Sequence, residues 1–181
     1  YAYLFSGPQG VGKTTIARIL AKTFNCINLI NSSVCNHCES CININNNCSP
    51  NVIEIDAASK TKIEETKELL NDVKYFPQSG KYKIYIIDEI HMLSNHSFNA
   101  LLKILEEPPK HIKFLFATTE KNKIPTTVLS RCLHFNLKKI YIIDIINYLS
   151  YILTNENIKF QKKDLYDIAI ISDGSMIDAV N

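Results

Sequence analysis

A chain of 181 residues suffices for one domain, or one and part of another, and is too short for a large multidomain enzyme. With 46% apolar residues, 21% charged and only 5 Gly and 6 Pro, it carries enough apolar surface to offset the entropy of ordering, which excludes disorder over most of its length. Twenty Lys and Arg against 18 Asp and Glu leave a net charge of +2, too little for an autonomous nucleic-acid binder, so any polyanion requires a local patch or other subunits.

In chain order, Ala2 to Phe5 form a short apolar run ending in the turn cluster Ser6-Gly7-Pro8. Ile16, Ile19, Leu20 and Phe24 then recur at helical spacing, giving strand, loop, helix. From Cys26 to Pro50 the chain is rich in Asn, Ser and Cys with little apolar periodicity. That is unusually long for a structureless loop, so something other than an apolar core must order it. Val52 to Ile55 read as a buried strand, and Thr61-Lys62-Ile63-Glu64 is a capping-box pattern opening a helix through about Tyr75.

Lys81 to Asp88 is the next strand; its apolar stretch closes at Asp88-Glu89, and nowhere are there the roughly 18 consecutive apolar residues that span a bilayer. Phe98, Leu101, Leu102 and Leu105 mark an amphipathic helix that stops before Pro108-Pro109. Ile112 to Thr118 is a further strand. Strands alternating with helices predict an α/β fold with a parallel sheet covered on both faces and ligands beyond the carboxyl ends of its strands. From Ile140 onward only helical periodicity remains (Ile142, Ile145, Ile146, Leu149, Ile152; then Leu165, Ile168, Ala169). The expected division is therefore a nucleotide-binding domain over 1–139 and the start of an incomplete helical domain over 140–181. The first residues lack a basic leader and an initiator Met and run straight into a strand, as expected of an internal fragment.

Gly7-Pro8-Gln9-Gly10-Val11-Gly12-Lys13-Thr14 matches G-x-x-x-x-G-K-[ST] between a strand and a helix, the context a phosphate loop requires. Glycines let successive N–H groups face one concavity, the helix N-terminus adds its positive end, Lys13 reaches the terminal phosphates and Thr14 ligates magnesium. The expected nucleotide-binding set is Gly7, Gly10, Val11, Gly12, Lys13, Thr14, Thr15 and Asp88. Asp88 and Glu89 end a buried strand on the rim that presents the nucleotide: Asp88 is placed on magnesium and Glu89 on the attacking water. Thr118 and Thr119 end the following strand, where a hydroxyl can bond a terminal phosphate or the water, although β-branched residues suit any strand.

Cys26, Cys35, Cys38 and Cys41 are spaced x8, x2, x2, and short Cys-x-x-Cys knuckles hold thiolates at the ~3.7 Å separation that tetrahedral zinc with ~2.3 Å bonds demands. Zinc would order the coreless segment of about 26–50 by its binding energy. Disulfides are the rival reading, and His37 or Cys48 are alternative ligands ranked below the four cysteines. Arg occurs only at positions 18 and 131, beside 18 Lys, so a surviving Arg marks a place where the planar fork matters.

Taken together, the phosphate loop, the four cysteines, Asp88-Glu89-Ile-His-Met-Leu, Ala117-Thr-Thr and Ser130-Arg-Cys resemble the gamma/tau subunits of bacterial DNA polymerase III, AAA+ clamp-loader ATPases. Glu54-Ile-Asp-Ala-Ala-Ser59, Ser97-Phe-Asn-Ala-Leu-Leu102 and Leu105-Glu-Glu-Pro-Pro109 extend the match over nearly the whole chain. The resemblance implies a cytoplasmic ATPase with an AAA+ domain, an inserted zinc module and a helical lid, using ATP, magnesium and one structural zinc. It implies a five-membered ring with further gamma/tau copies, delta and delta-prime that loads the sliding clamp onto primed DNA, with no membrane partner. It gives Thr119 as the first sensor and Arg131 as a finger acting in trans on a neighbouring site, where such arginines are typically worth ~10³ to 10⁵ in rate. One departure is Gly174-Ser175-Met176-Ile177-Asp178-Ala179, with Ile177 where the family's second sensor arginine belongs. A non-catalytic delta-prime-type subunit that donates Arg131 is the alternative; another AAA+ motor, such as a branch-migration helicase, gives no reason for the cysteine quartet.

Overall fold

A computed structural model describes residues 1–29, 31, 33–59, 76–77 and 81–181. The helix expected from Thr61 to about Tyr75 lies outside the described residues. Two compact units are present, one of residues 1–6 and 14–135, the other of 7–13 and 136–181. The second unit thus takes in the loop Gly7–Lys13 as well as the helical segment.

In the first unit, β1 (Ala2–Ser6), β2 (Val52–Asp56), β3 (Lys83–Asp88), β4 (Ile112–Thr118) and β5 (Leu133–Asn136) form one sheet in the order β2-β3-β4-β1-β5. The first four strands pair in parallel. Leu4, Ile84, Ile86, Phe114, Leu115 and Phe116 are at most 1% exposed, as expected of near-continuous apolar strands covered on both faces. The register sets Ser6 level with Thr118 and Asp56 level with Asp88, so the polar ends of these strands share one edge. Strand β5, with three of its four residues exposed, carries no apolar run by which the sequence would announce it.

Helix α1 (Lys13–Asn25) follows the loop. It turns Ala17 and Ala21 fully inward, while Ile16 and Ile19 are exposed. The helix is where the periodicity puts it, but small residues make its inner face because they let the backbone approach closely. Helix α2 (Glu39–Asn45) lies inside the 26–50 segment, where the sequence shows little apolar periodicity. Helix α3 (Asn95–Glu106) is capped by Ser94, which accepts from the Ser97 N–H, and buries Phe98, Leu101 and Leu105. The short α4 (Thr126–Leu129) precedes β5.

The second unit contains α5 (Ile142–Asn155), α6 (Lys162–Ile171) and α7 (Met176–Val180). Its core is Ile145, Leu149, Leu165, Ala169 and Ala179, with Phe160 and Met176 packed against it.

Candidate nucleotide and metal sites

At the carboxyl edge of the sheet, the Thr14 hydroxyl donates to Asp88 Oδ2 at 2.6 Å, joining the first turn of α1 to the end of β3. Asp88 Oδ1 accepts the Glu89 N–H at 2.9 Å. A cleft of about 420 Å³ opens beside Asp88, lined among others by Arg18, Glu54, Asp56 and Ser49. The guanidinium of Arg18 grips both Glu54 oxygens, at 2.7 and 2.8 Å, which raises the already high pKa of the arginine and ties α1 to β2. One of the two arginines is thus spent on a planar, bidentate structural pair.

Glu89 adopts a left-handed conformation (φ 46°, ψ 46°), uncommon for a residue with a side chain, and opens the 3-10 turn Ile90–Met92. Its Oε2 accepts both the N–H and the hydroxyl of Thr119, at 3.0 and 2.9 Å. Thr118 is fully buried; its hydroxyl meets His91 Nδ1 at 3.0 Å and accepts the Glu120 N–H. Asp88, Glu89 and Thr119 are therefore brought to one edge with Thr14. His91 and Glu120 join them unannounced by any motif of their own, although His91 stands in the same hexapeptide as the two carboxylates.

Within the second unit, Lys13 is buried and its ammonium donates to the carbonyls of Gly7 and Pro8 at 3.0 and 2.8 Å. Gly10 has φ +75°, and a Cβ there would collide with the Ser175 hydroxyl. The Gly10 carbonyl accepts the Met176 N–H at 2.9 Å. Gly12 has φ +93° in open space, so there only backbone conformation demands glycine. Val11 is half-buried and Thr15 exposed. Ser175 caps α7 by accepting the Asp178 N–H, and Ile177, two residues after Ser175, is 55% exposed.

The sulfurs of Cys26, Cys35, Cys38 and Cys41 all lie within 4.8 Å of one another. Cys26 and Cys35 stand 3.6 Å apart, the separation a tetrahedral thiolate site needs. The Cys35 N–H points at Cys26 Sγ and the Cys38 N–H at Cys35 Sγ. The Ile27 N–H, then that of Cys41, pulls the Cys38 thiol down to about 6, whereas burial pushes Cys41 up to about 12. Neighbouring thiols cannot all ionise together without a cation, so the cluster fits a bound divalent ion. All six cysteines are free thiols, which leaves the disulfide reading without support. Cys48 lies exposed, bonded to Asn43, and His37 bonds the Cys35 carbonyl. The segment has a small apolar centre after all, because Cys26, Cys38 and Cys41 are buried with Val34 and Cys35 against them.

Arg131, after α4, donates to the Thr127 carbonyl at 2.8 Å and to Glu106 Oε1 at 3.1 Å, its side chain about one-third exposed.

Comparison with known proteins places these features. A family model described as "DNA polymerase III, delta subunit" matches residues 1–141. Over all 181 residues the chain is 52% identical to the DNA polymerase III subunit tau/gamma of Haemophilus influenzae, covering 26% of that protein. It is 51% identical to subunit tau of Escherichia coli, covering 28%, and 51% identical to subunit gamma of Buchnera aphidicola from Acyrthosiphon pisum, covering 50%. The chain thus spans about a quarter to a half of these relatives. Among solved structures, the Thermotoga maritima RuvB Holliday junction branch migration motor aligns with a TM-score of 0.66 at 17% identity, over 99% of this chain and 51% of that one. A Thermotoga maritima gamma subunit-related protein aligns with a TM-score of 0.52 at 16% identity, over 92% and 53%. At such identities the structural likeness establishes the AAA+ fold alone. Half-identity over every residue carries more weight than the delta-subunit wording of the family model: the chain belongs to the gamma/tau family of DNA polymerase III subunits.

Proposed function

We propose that the chain binds and hydrolyses ATP as a clamp-loader motor, coupling the nucleotide state of a ring to loading of a sliding clamp on primed DNA in the cytoplasm. The observation that carries this reading is the 2.6 Å bond between Thr14 and Asp88, a hydroxyl and a carboxylate 74 residues apart held where they can share one divalent ion. Thr14 and Asp88 would hold magnesium, which screens the phosphate charge. Lys13 exchanges two neutral carbonyls for anionic phosphate oxygens, a gain in charge-assisted hydrogen bonding. The loop amides from Gly7 to Thr14 receive the remaining phosphate oxygens, and Glu89 orients the attacking water with Thr119 beside it.

Arg131 would serve the neighbouring protomer's site, leaving Glu106 to do so. Zinc held by Cys26, Cys35, Cys38 and Cys41 would staple the 26–50 module. Further gamma/tau copies, delta and delta-prime would complete the ring.

Lys13→Ala should weaken ATP binding ~10- to 100-fold, the loss of a charged hydrogen-bonding partner, and Glu89→Gln should bind ATP normally while losing turnover. Unchanged affinity in the first variant would remove the assigned site. Ile177 favours a second reading, a delta-prime-like subunit that assembles and donates Arg131 without hydrolysing. Turnover by a ring in which this chain is the sole competent subunit decides between them.

A further inference from the structure

The side chain of His91 is only 6% exposed and lies inside the cluster at the sheet edge. Its Nδ1 stands 3.0 Å from the Thr118 hydroxyl and 3.2 Å from Glu89 Oε2, and its Nε2 stands 3.4 Å from Glu120 Oε1. Glu120 in turn accepts from Lys123 at 2.8 Å. With its proton on Nδ1, the ring can donate toward the Thr118 hydroxyl and Glu89 Oε2 from one position. The left-handed turn at Glu89 creates this arrangement, since it starts the 3-10 turn that carries His91 back against the end of β4.

Glu89 has three freely rotating side-chain bonds, and a carboxylate that orients water must be confined to one of its rotamers. The Thr119 amide and hydroxyl both donate to the single atom Oε2, and Nδ1 of the His91 ring stands 3.2 Å from the same atom. That leaves Oε1 as the oxygen for the attacking water. Thr119 holds Glu89 from β4, whereas His91 holds it from its own strand's exit, with Thr118 and Glu120 bracing the ring.

Resting on the reading of Glu89 above, we propose that His91 is a positioning residue for hydrolysis, its Nδ1–H fixing the Glu89 carboxylate. Its neighbours are Thr118, Glu89 and Glu120 rather than Lys13 or Thr14, so it should act on the chemical step and leave binding alone.

The test uses the full-length protein in its native assembly and compares His91→Asn, His91→Gln and His91→Leu in steady-state ATP turnover and in equilibrium binding of a fluorescent ATP analogue. Asn keeps an N–H near the position of Nδ1, Gln places one near Nε2, and Leu keeps neither. Turnover should fall about 10- to 100-fold in Leu and Gln, the effect of a misplaced catalytic group, while Asn stays within about threefold of the parent and KM and analogue affinity stay within about twofold in all three. A merely structural role predicts loss in proportion to melting temperature, with Asn and Gln alike; that result, or full turnover in Leu, overturns the proposal. Because Asn and Gln are both polar, their comparison decides even if Leu folds poorly. Combining His91→Leu with Glu89→Gln should slow the reaction no further than Glu89→Gln alone. If Glu89→Gln itself turns over normally, the reading of Glu89 fails and this proposal with it; if Glu89→Gln is inert and His91→Leu is normal, only the role of His91 fails.

Discussion

Gly10 and Gly12 separate two reasons for glycine. Both have positive φ, but a methyl group at Gly10 also meets Ser175, whereas at Gly12 it meets nothing within 4 Å. Gly12→Ala should cost about 1 kcal/mol from backbone strain and Gly10→Ala about 2–4 kcal/mol from strain plus the clash. Thermal melts of the two variants check the order; equal losses would show that the Gly10–Ser175 approach relaxes freely. At the same scale the two arginines diverge: Arg18 is paired inside its own protomer with Glu54, whereas Arg131 rests on the more exposed Glu106. An exposed pair of the latter kind is worth at most ~1 kcal/mol, which leaves Arg131 cheap to withdraw. Arg131→Ala should accordingly leave the melting temperature within about 2 °C while abolishing turnover in the assembled ring. A large drop in melting temperature would mark the residue as structural.

At the scale of elements, the proposed zinc staple makes the cysteine module depend on a metal for its order. Chelation should expose Cys26, Cys35, Cys38 and Cys41 to alkylation, whereas the metal-loaded chain should be labelled first at the exposed Cys48. Cys132, whose thiol burial pushes up to about 11, should react slowly in both states. Peptide mass spectrometry after a timed pulse distinguishes these sites; labelling of the quartet at one rate with and without chelator would contradict the assignment.

Strands β1 to β4 and helices α1, α3, α5 and α6 were legible because each carries a long apolar period. Strand β5 and helix α2 were not, since β5 is exposed and α2 buries only Cys41 and Ile44. The apolar period that marks α1 does not by itself give its buried face, which is made by Ala17 and Ala21 while Ile16 and Ile19 stay exposed. The Gly7–Thr14 pattern, the acidic pair and the four cysteines stand out in the sequence by fixed residue types at fixed spacing, and the structure brings the four sulfurs together and Thr14 to Asp88. The contacts of His91 and Ser175 could not be read, because they arise only when distant segments meet.

For the whole molecule, the grouping of Gly7–Lys13 with the helical segment is the consequential feature. The Gly10 carbonyl that accepts the Met176 N–H belongs to the loop proposed to cradle phosphate, so on that proposal occupation of the loop should be felt by the helical segment. Ile177 follows Met176 directly and brings no charge to that unit. Replacing it with Arg should tighten ATP binding by up to ~10-fold, the gain of one partly exposed charge-assisted contact. No change in affinity would mean that this position does not face the nucleotide.

The central claim is that Gly7 to Thr14 and Asp88 together bind a magnesium nucleotide. Calorimetric titration of a slowly hydrolysed ATP analogue, with and without magnesium, into the parent chain and into Lys13→Ala and Asp88→Asn tests it most directly. Binding to the parent should saturate and be strengthened by magnesium, weaken in Lys13→Ala and lose its magnesium dependence in Asp88→Asn. Equal binding by all three proteins, with or without the metal, would contradict it.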